Sequence, residues 1–543
     1  MIRVSDFLKN FGHPTLKQAS TKSKTLIALL AASLWLTPVW SQLPPSPQGL
    51  PSLGDGADIT LSAERKLGDR IARELYRDPD YLEDPILDEY LQNIWEPLVK
   101  SSQARGELSP ELMARFAWKV FIVRDRSVNA FALPGGYLGV HLGLISVVTT
   151  RGELASVMAH ELSHVTQRHI ARSMGEQARM TPWLLGAMIL GMLAAGKSAQ
   201  GAQGAQAMIV GGQALAVQSQ LNFSRDMERE ADRIGYGVMA DAGFDTQGFV
   251  TMFGKLQQAS GLNDSGGFPY LRSHPLTTER MADMQARQQL QQPQPRNLEE
   301  DLVQAMMSAR ARTMSQPGVD ALRAWANEAA DPNLDRLSTS KRMGVLYGAY
   351  MSWLQLRDFN QAKALRQQLI QTAGKQQNAL RLIQLLEVEL AFKEDDMQRV
   401  LNLLGNTVSE LNWARPEMIL ISQAASRRHV ARPDAESAAL LTKVVTNLQR
   451  WVLENPLDAQ VWQILATALS AQGRGLASLR AEGEAQLARW DIAAAVDRFR
   501  AAQDASRKLP AHLSDHIEAS IVDARLRYAQ GLLREQFLER QER

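Results

Sequence analysis

Not one cysteine occurs in the 543 residues, which excludes disulfides, thiolate metal sites and cysteine nucleophiles. Histidine is scarce as well, with nine in the chain, so two at a meaningful spacing carry information. Neither sign of charge is in excess: 60 Lys and Arg against 58 Asp and Glu give a formal net charge of +2. Residues 1–41 hold Arg3, Lys9, Lys17, Lys22 and Lys24 against Asp6, a net of +4, so the rest of the chain carries −2. That balance excludes the basic excess of a nucleic-acid binder. With 45% apolar and 22% charged residues the composition is globular, and the length exceeds what a single core supports, so two or more domains are expected.

What is present is one short motif, His160-Glu161-Leu162-Ser163-His164. On a helix, positions four apart lie one turn above each other, so both imidazoles can bind the same Zn²⁺. Glu161 then stands beside the ion and can move a proton from water to a leaving amine. A chance occurrence is on the order of one per cent for nine histidines, so the flanks must decide. Thr150-Arg151-Gly152-Glu153 is a capping-box pattern, and Leu154, Val157, Met158, Leu162 and Val165 keep helical spacing, which predicts a helix with one buried face.

Catalytic zinc usually keeps three protein ligands and one open position. Phe223 to Tyr236 reads as a second helix, with Glu228 and Asp232 four apart. One carboxylate can bind the metal while the other takes the second N–H of a ligating histidine and fixes its tautomer. Glu230 faces elsewhere on that helix. His141 and His169 read as non-ligands, since His169 is five beyond His164 and off the i, i+4 face.

H-E-x-x-H followed by E-x-x-x-D, preceded by Asn129-Ala130-Phe131-Ala132-Leu133-Pro134-Gly135-Gly136-Tyr137 and followed by Ser273-His274-Pro275-Leu276-Thr277-Thr278-Glu279-Arg280, resembles the zinc endopeptidase family that includes HtpX and the CAAX prenyl endopeptidases, in its soluble periplasmic branch. The resemblance is strongest over residues 60 to 290. It implies an α+β zincin-like peptidase domain, mostly helical with a small sheet, and one zinc per chain held by His160, His164 and Glu228, with Glu161 as general base and Asp232 orienting a ligand. It further implies unfolded or misassembled outer-membrane proteins as substrates, with a helical-repeat domain docking on their assembly machinery. His274 is a candidate gating ligand or oxyanion donor, and Arg280 a candidate oxyanion donor; the alternative is local packing for His274 and carboxylate pairing for Arg280.

Val120–Val123, Asn129–Leu133 and Tyr137–Val140 read as strands turned by Pro134-Gly135-Gly136. If Asn129, Ala130 and Phe131 form an edge beside the metal, an extended peptide can add to the sheet through its main chain, with loose sequence preference.

Basic residues ahead of the apolar run Leu26 to Trp40 make residues 1–41 a predicted export signal into a periplasm, or an anchor facing it if uncleaved. Residues 42–58, rich in Pro, Gly and Ser, read as a tether, and 59–290 as the peptidase domain. Within it, Pro182 to Ala195 and Ala205 to Val217 are uncharged yet shorter than the roughly 20 residues of a membrane span. Region 180–220 therefore predicts a helical hairpin that packs on the domain, acts as a lid or makes peripheral membrane contact. Residues 291–300 read as a linker. Beyond it, 301–543 predicts an all-α tetratricopeptide-like domain, from Leu346-Tyr347-Gly348-Ala349-Tyr350 with Asp358 to Leu365, Trp462 to Gly473, and Ala481 to Ala502. From another functional class, a non-catalytic periplasmic chaperone or adaptor with a structural zinc fits the same letters.

Overall fold

The computed structural model describes residues 59–176, 224–261, 267–291, 295, 297–409, 413–508 and 515–541. The predicted signal (1–41), tether (42–58) and hairpin (180–220) lie outside the described residues.

The N-terminal half begins with α1 (Leu61–Arg77), where the Thr60 hydroxyl accepts from the Ala63 N–H, and α2 (Pro85–Ala104), capped by Asp84 and started by proline. After α3 (Pro110–Arg115) come β1 (Lys119–Val123), β2 (Ala130–Leu133) and β3 (Tyr137–His141). The sheet order is β1-β3-β2, with β1 parallel and β2 antiparallel to the central β3. Gly135 and Gly136, at φ 77° and 85°, make the turn between β2 and β3 in the left-handed region that other residues resist. Gly139 faces Phe131 so closely that a Cβ would fall 2.2 Å from its ring. The edge position expected of the 129–131 strand is thus occupied by β2.

Next come α4 (Leu142–Val147), α5 (Arg151–Thr166), α6 (His169–Glu176), α7 (Arg225–Asp241), α8 (Gln247–Gly261), the single turn α9 (Tyr270–Ser273) and α10 (Thr278–Gln289). Half of the predicted capping box forms at α5. Thr150 accepts from the Glu153 N–H, while the Glu153 carboxylate takes the Thr149 N–H and Lys255. The expectation of one buried face for α5 is corrected. It is buried from Gly152 to Thr166, because α7, α8, α2 and β2 all pack on it.

The remaining chain is helical: α11 (Leu298–Met314), α12 (Val319–Asn327), α13 (Thr339–Gln355), α14 (Phe359–Ala373), α15 (Gln377–Lys393), α16 (Met397–Leu403), α17 (Gly405–Ser409), α18 (Arg415–Ala431), α19 (Ala435–Glu454), α20 (Ala459–Ala471), α21 (Gly475–Ala488), α22 (Ile492–Lys508) and α23 (His516–Gln541). Because α11 starts at Leu298 with Asn297 as cap, the last residues of the expected 291–300 linker are helix. Three hairpins turn by one device. A left-handed residue, Arg357, Asp395 or Trp490, is followed by an aspartate, Asp358, Asp396 or Asp491, whose carboxylate accepts from the N–H three residues on. That is N-capping reused from hairpin to hairpin. One continuous apolar core runs from Leu82 of the N-terminal half to Ala481 of the helical half.

Candidate metal centre

Two helices bring the polar groups together. α5 carries His160, Glu161 and His164, and α7 lies along it with Glu228 and Asp232 on the facing side. Close approach needs Gly235, whose Cβ position lies 3.1 Å from the backbone of Ala159 and His160. The turn after α9 adds His274, and the first residues of α10 add Arg280. All seven side chains are buried.

One nitrogen or oxygen each from His160, His164, Glu228 and His274 lies within 4.8 Å of the others. The two imidazole Nε2 atoms are 3.0 Å apart. Glu228 sets one carboxylate oxygen 3.4 Å from His160 Nε2 and the other 3.4 Å from His164 Nε2. Tetrahedral bonds of about 2.0–2.2 Å place ligand atoms roughly 3.3–3.5 Å apart; both carboxylate–imidazole distances fall in that range and the imidazole pair is slightly closer, so this two-nitrogen, one-carboxylate set can close on zinc. Without a cation these groups can meet only by sharing protons, whereas one metal ion would take a lone pair from each.

Around the set, His160 Nδ1 lies 2.9 Å from Asp232 Oδ1, and Arg280 grips Asp232 with two hydrogen bonds of 2.6 and 2.8 Å. Arg280 also donates to the Pro275 carbonyl and lies 2.7 Å from Glu228 Oε2. Glu161 Oε2 accepts from the Ala132 N–H of β2 at 2.9 Å. Its Oε1 is buried without a hydrogen bond, 3.3 Å from His274 Nε2. His274 is stacked on Tyr270, and its Nδ1 lies 3.0 Å from Glu228 Oε1.

Burial opposes a charge on His160, yet Asp232 and Glu228 outweigh it and push the imidazole up to about 9. Burial carries His164 the other way, well below the ordinary histidine range. Against burial, His274 and the two α5 histidines hold Glu228 well below the usual carboxylate range. Asp232 is lowered too, by Arg280 and His160 against its own burial. A ligating imidazole has to be neutral at the coordinating nitrogen, so metal and proton would compete for His160.

Residues 85–288 match peptidase family M48. The chain is 30% identical over 486 residues to the beta-barrel assembly-enhancing protease of Escherichia coli K12, covering 87% of this chain and 90% of that one. The corresponding protein of Yersinia pestis is 29% identical over 84% of this chain and 89% of its own length. The chain belongs to peptidase family M48. Mitochondrial metalloendopeptidase OMA1 of Arabidopsis thaliana is similar over a shorter stretch, 28% identical across 48% of this chain and 49% of its own. M48 membership makes the chain a zinc metalloendopeptidase, and the buried group of His160, His164, Glu228 and His274 could hold the metal.

The sequence-derived residues converge: His160, Glu161, His164, Glu228, Asp232, His274 and Arg280 share one buried site, and β2 borders it through Ala132. Asn129 adjoins β2, and Ala130 and Phe131 belong to it. Arg280 pairs with a carboxylate, one of its two expected uses. Sequence reasoning missed three contributors. The Ala132 amide is backbone and leaves no mark in composition. His169 and Glu230 were set aside by helical phase, but His169 reaches His164 through a break in the helix, and Glu230 reaches His169. Among the described residues no helix is long and apolar enough to cross a membrane.

Proposed function

We propose that this chain hydrolyses peptide bonds in unfolded or misassembled outer-membrane proteins in the periplasm, with His160, His164 and Glu228 as zinc ligands and Glu161 as proton carrier. The supporting observation is the cluster itself: two imidazole nitrogens 3.0 Å apart, a Glu228 carboxylate with one oxygen 3.4 Å from each, and the buried Glu161 Oε1 near them against His274. Zinc, when bound, supplies Lewis-acid polarisation of the scissile carbonyl and acidifies water. Glu161 Oε1 takes the proton of the attacking water as its oxygen joins the carbonyl carbon. The same carboxyl then returns that proton to the nitrogen as the C–N bond breaks. Asp232 keeps His160 oriented, and Arg280 holds Asp232 in place.

Among the described residues β2 has a strand partner only in β3, and its other side meets Glu161 through the Ala132 N–H, which supports binding of an extended peptide by strand addition along Asn129, Ala130 and Phe131. His274 stands among the ligand atoms, which favours a gating role in the resting protein over donation to an oxyanion. Arg280, committed to Asp232 and the Pro275 carbonyl, is the weaker oxyanion donor of the two. The names of the bacterial relatives support outer-membrane β-barrel proteins as substrates. The helical half is the docking surface for their assembly machinery in this reading, and its hairpins are tetratricopeptide-like. Residues 1–41 serve as the export signal.

The test is zinc content with casein digestion on wild type and Glu161→Gln. Stoichiometric zinc in both, with cleavage only in wild type, is expected. Full biological activity of Glu161→Gln in the cell would instead favour the adaptor reading.

A further inference from the structure

α5 ends at Thr166, and Arg168 adopts φ 52° before α6 starts at His169. Five residues along an unbroken helix point about 140° away from the starting side chain. The left-handed turn at Arg168, whose guanidinium is tied to Glu64 at 3.0 Å, brings His169 back beneath His164 instead. There His169 Nδ1 lies 2.9 Å from His164 Nδ1, and His169 Nε2 lies 3.0 Å from Glu230 Oε2. Arg172 donates to the same Glu230 oxygen at 2.9 Å. His169 is fully buried, while Glu230 is half-buried at the rim.

The hydrogen positions along this chain follow from donor and acceptor logic. A metal on His164 Nε2 needs the lone pair there, so the proton of the neutral ring sits on Nδ1 and must be donated. His169 Nδ1 can accept it only as a lone pair, which puts the His169 proton on Nε2. That N–H is donated to Glu230, a carboxylate kept charged by Arg172. Each group has one role that satisfies both neighbours. On the other imidazole of α5, Asp232 takes the matching place beside His160 Nδ1.

We propose that His169 and Glu230 are positioning residues that fix the tautomer and ring orientation of His164 for the metal. This rests on His164 being a zinc ligand. Loss of such an outer partner typically weakens metal binding about 10–100-fold.

The experiment uses full-length protein, zinc ions and a chromogenic chelator of known affinity. His169→Phe fills the space without an acceptor, whereas His169→Gln restores one. His169→Phe is expected to bind zinc about 10–100-fold more weakly than wild type, with His169→Gln recovering most of the loss and an altered visible spectrum of the cobalt-substituted His169→Phe protein. Glu230→Ala, at the rim, is expected to weaken zinc by a smaller factor than His169→Phe, and it serves alone should His169→Phe not fold. Wild-type zinc affinity in His169→Phe or in Glu230→Ala would overturn the proposal, and so would equal losses in His169→Phe and His169→Gln, which would mark packing. A wild type that takes up no zinc would instead sink the metal-centre reading itself.

Discussion

Asp232 faces the His160 imidazole on one side and the buried Arg280 guanidinium on the other. Asp232→Asn keeps the volume but removes the charge that both neighbours use. Zinc affinity is expected to fall about 10–100-fold. The metal-free protein should lose about 3 kcal/mol or more, because Arg280 is left in the interior with a weakened partner. Chelator competition and urea denaturation measure the two effects separately. His274 gives a test with opposite signs: if it gates, His274→Ala raises basal casein cleavage, and a fall to none would make it catalytic.

At the scale of elements, α5 and α7 touch at Gly235. Gly235→Val would drive a branched side chain into the backbone at Ala159 and His160, parting α7 from α5. A cost of about 1–3 kcal/mol is expected, together with zinc binding weakened far more than by the same change at Gly254, whose Cβ position is open. Thermal denaturation and zinc titration of both variants check this. Both helices of the centre were legible in the letters, because the capping pattern at Thr150 and the i, i+4 spacing of the functional side chains are local properties. The burial of α5 on all sides was not, since the polar side chains that break its apolar pattern are the site itself. His169 escaped for a related reason. No glycine or proline announces the turn at Arg168, and periodicity assumes that a helix continues. In the helical half, hairpins read from small and large residue rhythm appear as α13–α14, α20–α21 and α21–α22. The early start of α11 at Leu298 was hidden by the Gln- and Pro-rich residues just before it.

For the whole molecule, three arginines of the helical half reach acidic residues at the start of α2. Arg310 binds Asp84 and Glu389, Arg381 binds Glu89 and Glu417, and Arg415 bridges Asp88 and Asp458. Arg310 and Asp84 are almost wholly buried, so Arg310→Met is expected to cost about 3–5 kcal/mol, read as a lower midpoint of a single denaturation transition. Burial opposes the Asp458 charge, but Arg415 prevails and takes its carboxyl down to about 2. A folded value below the unfolded one means this contribution, about 2 kcal/mol, is complete above roughly pH 4 and vanishes as pH falls toward 2. Wild type should therefore exceed Asp458→Asn in stability at pH 7, and the gap should close in acid; equal stability at pH 7 would refute it.

The shared core from Leu82 to Ala481 has a practical consequence for anyone dissecting this enzyme. Cutting the chain near residue 295 would strip greasy surface bare and orphan three carboxylates at once, so the catalytic portion is no detachable cartridge. Expressed by itself it should aggregate, and co-expression with the severed remainder should return it to solution.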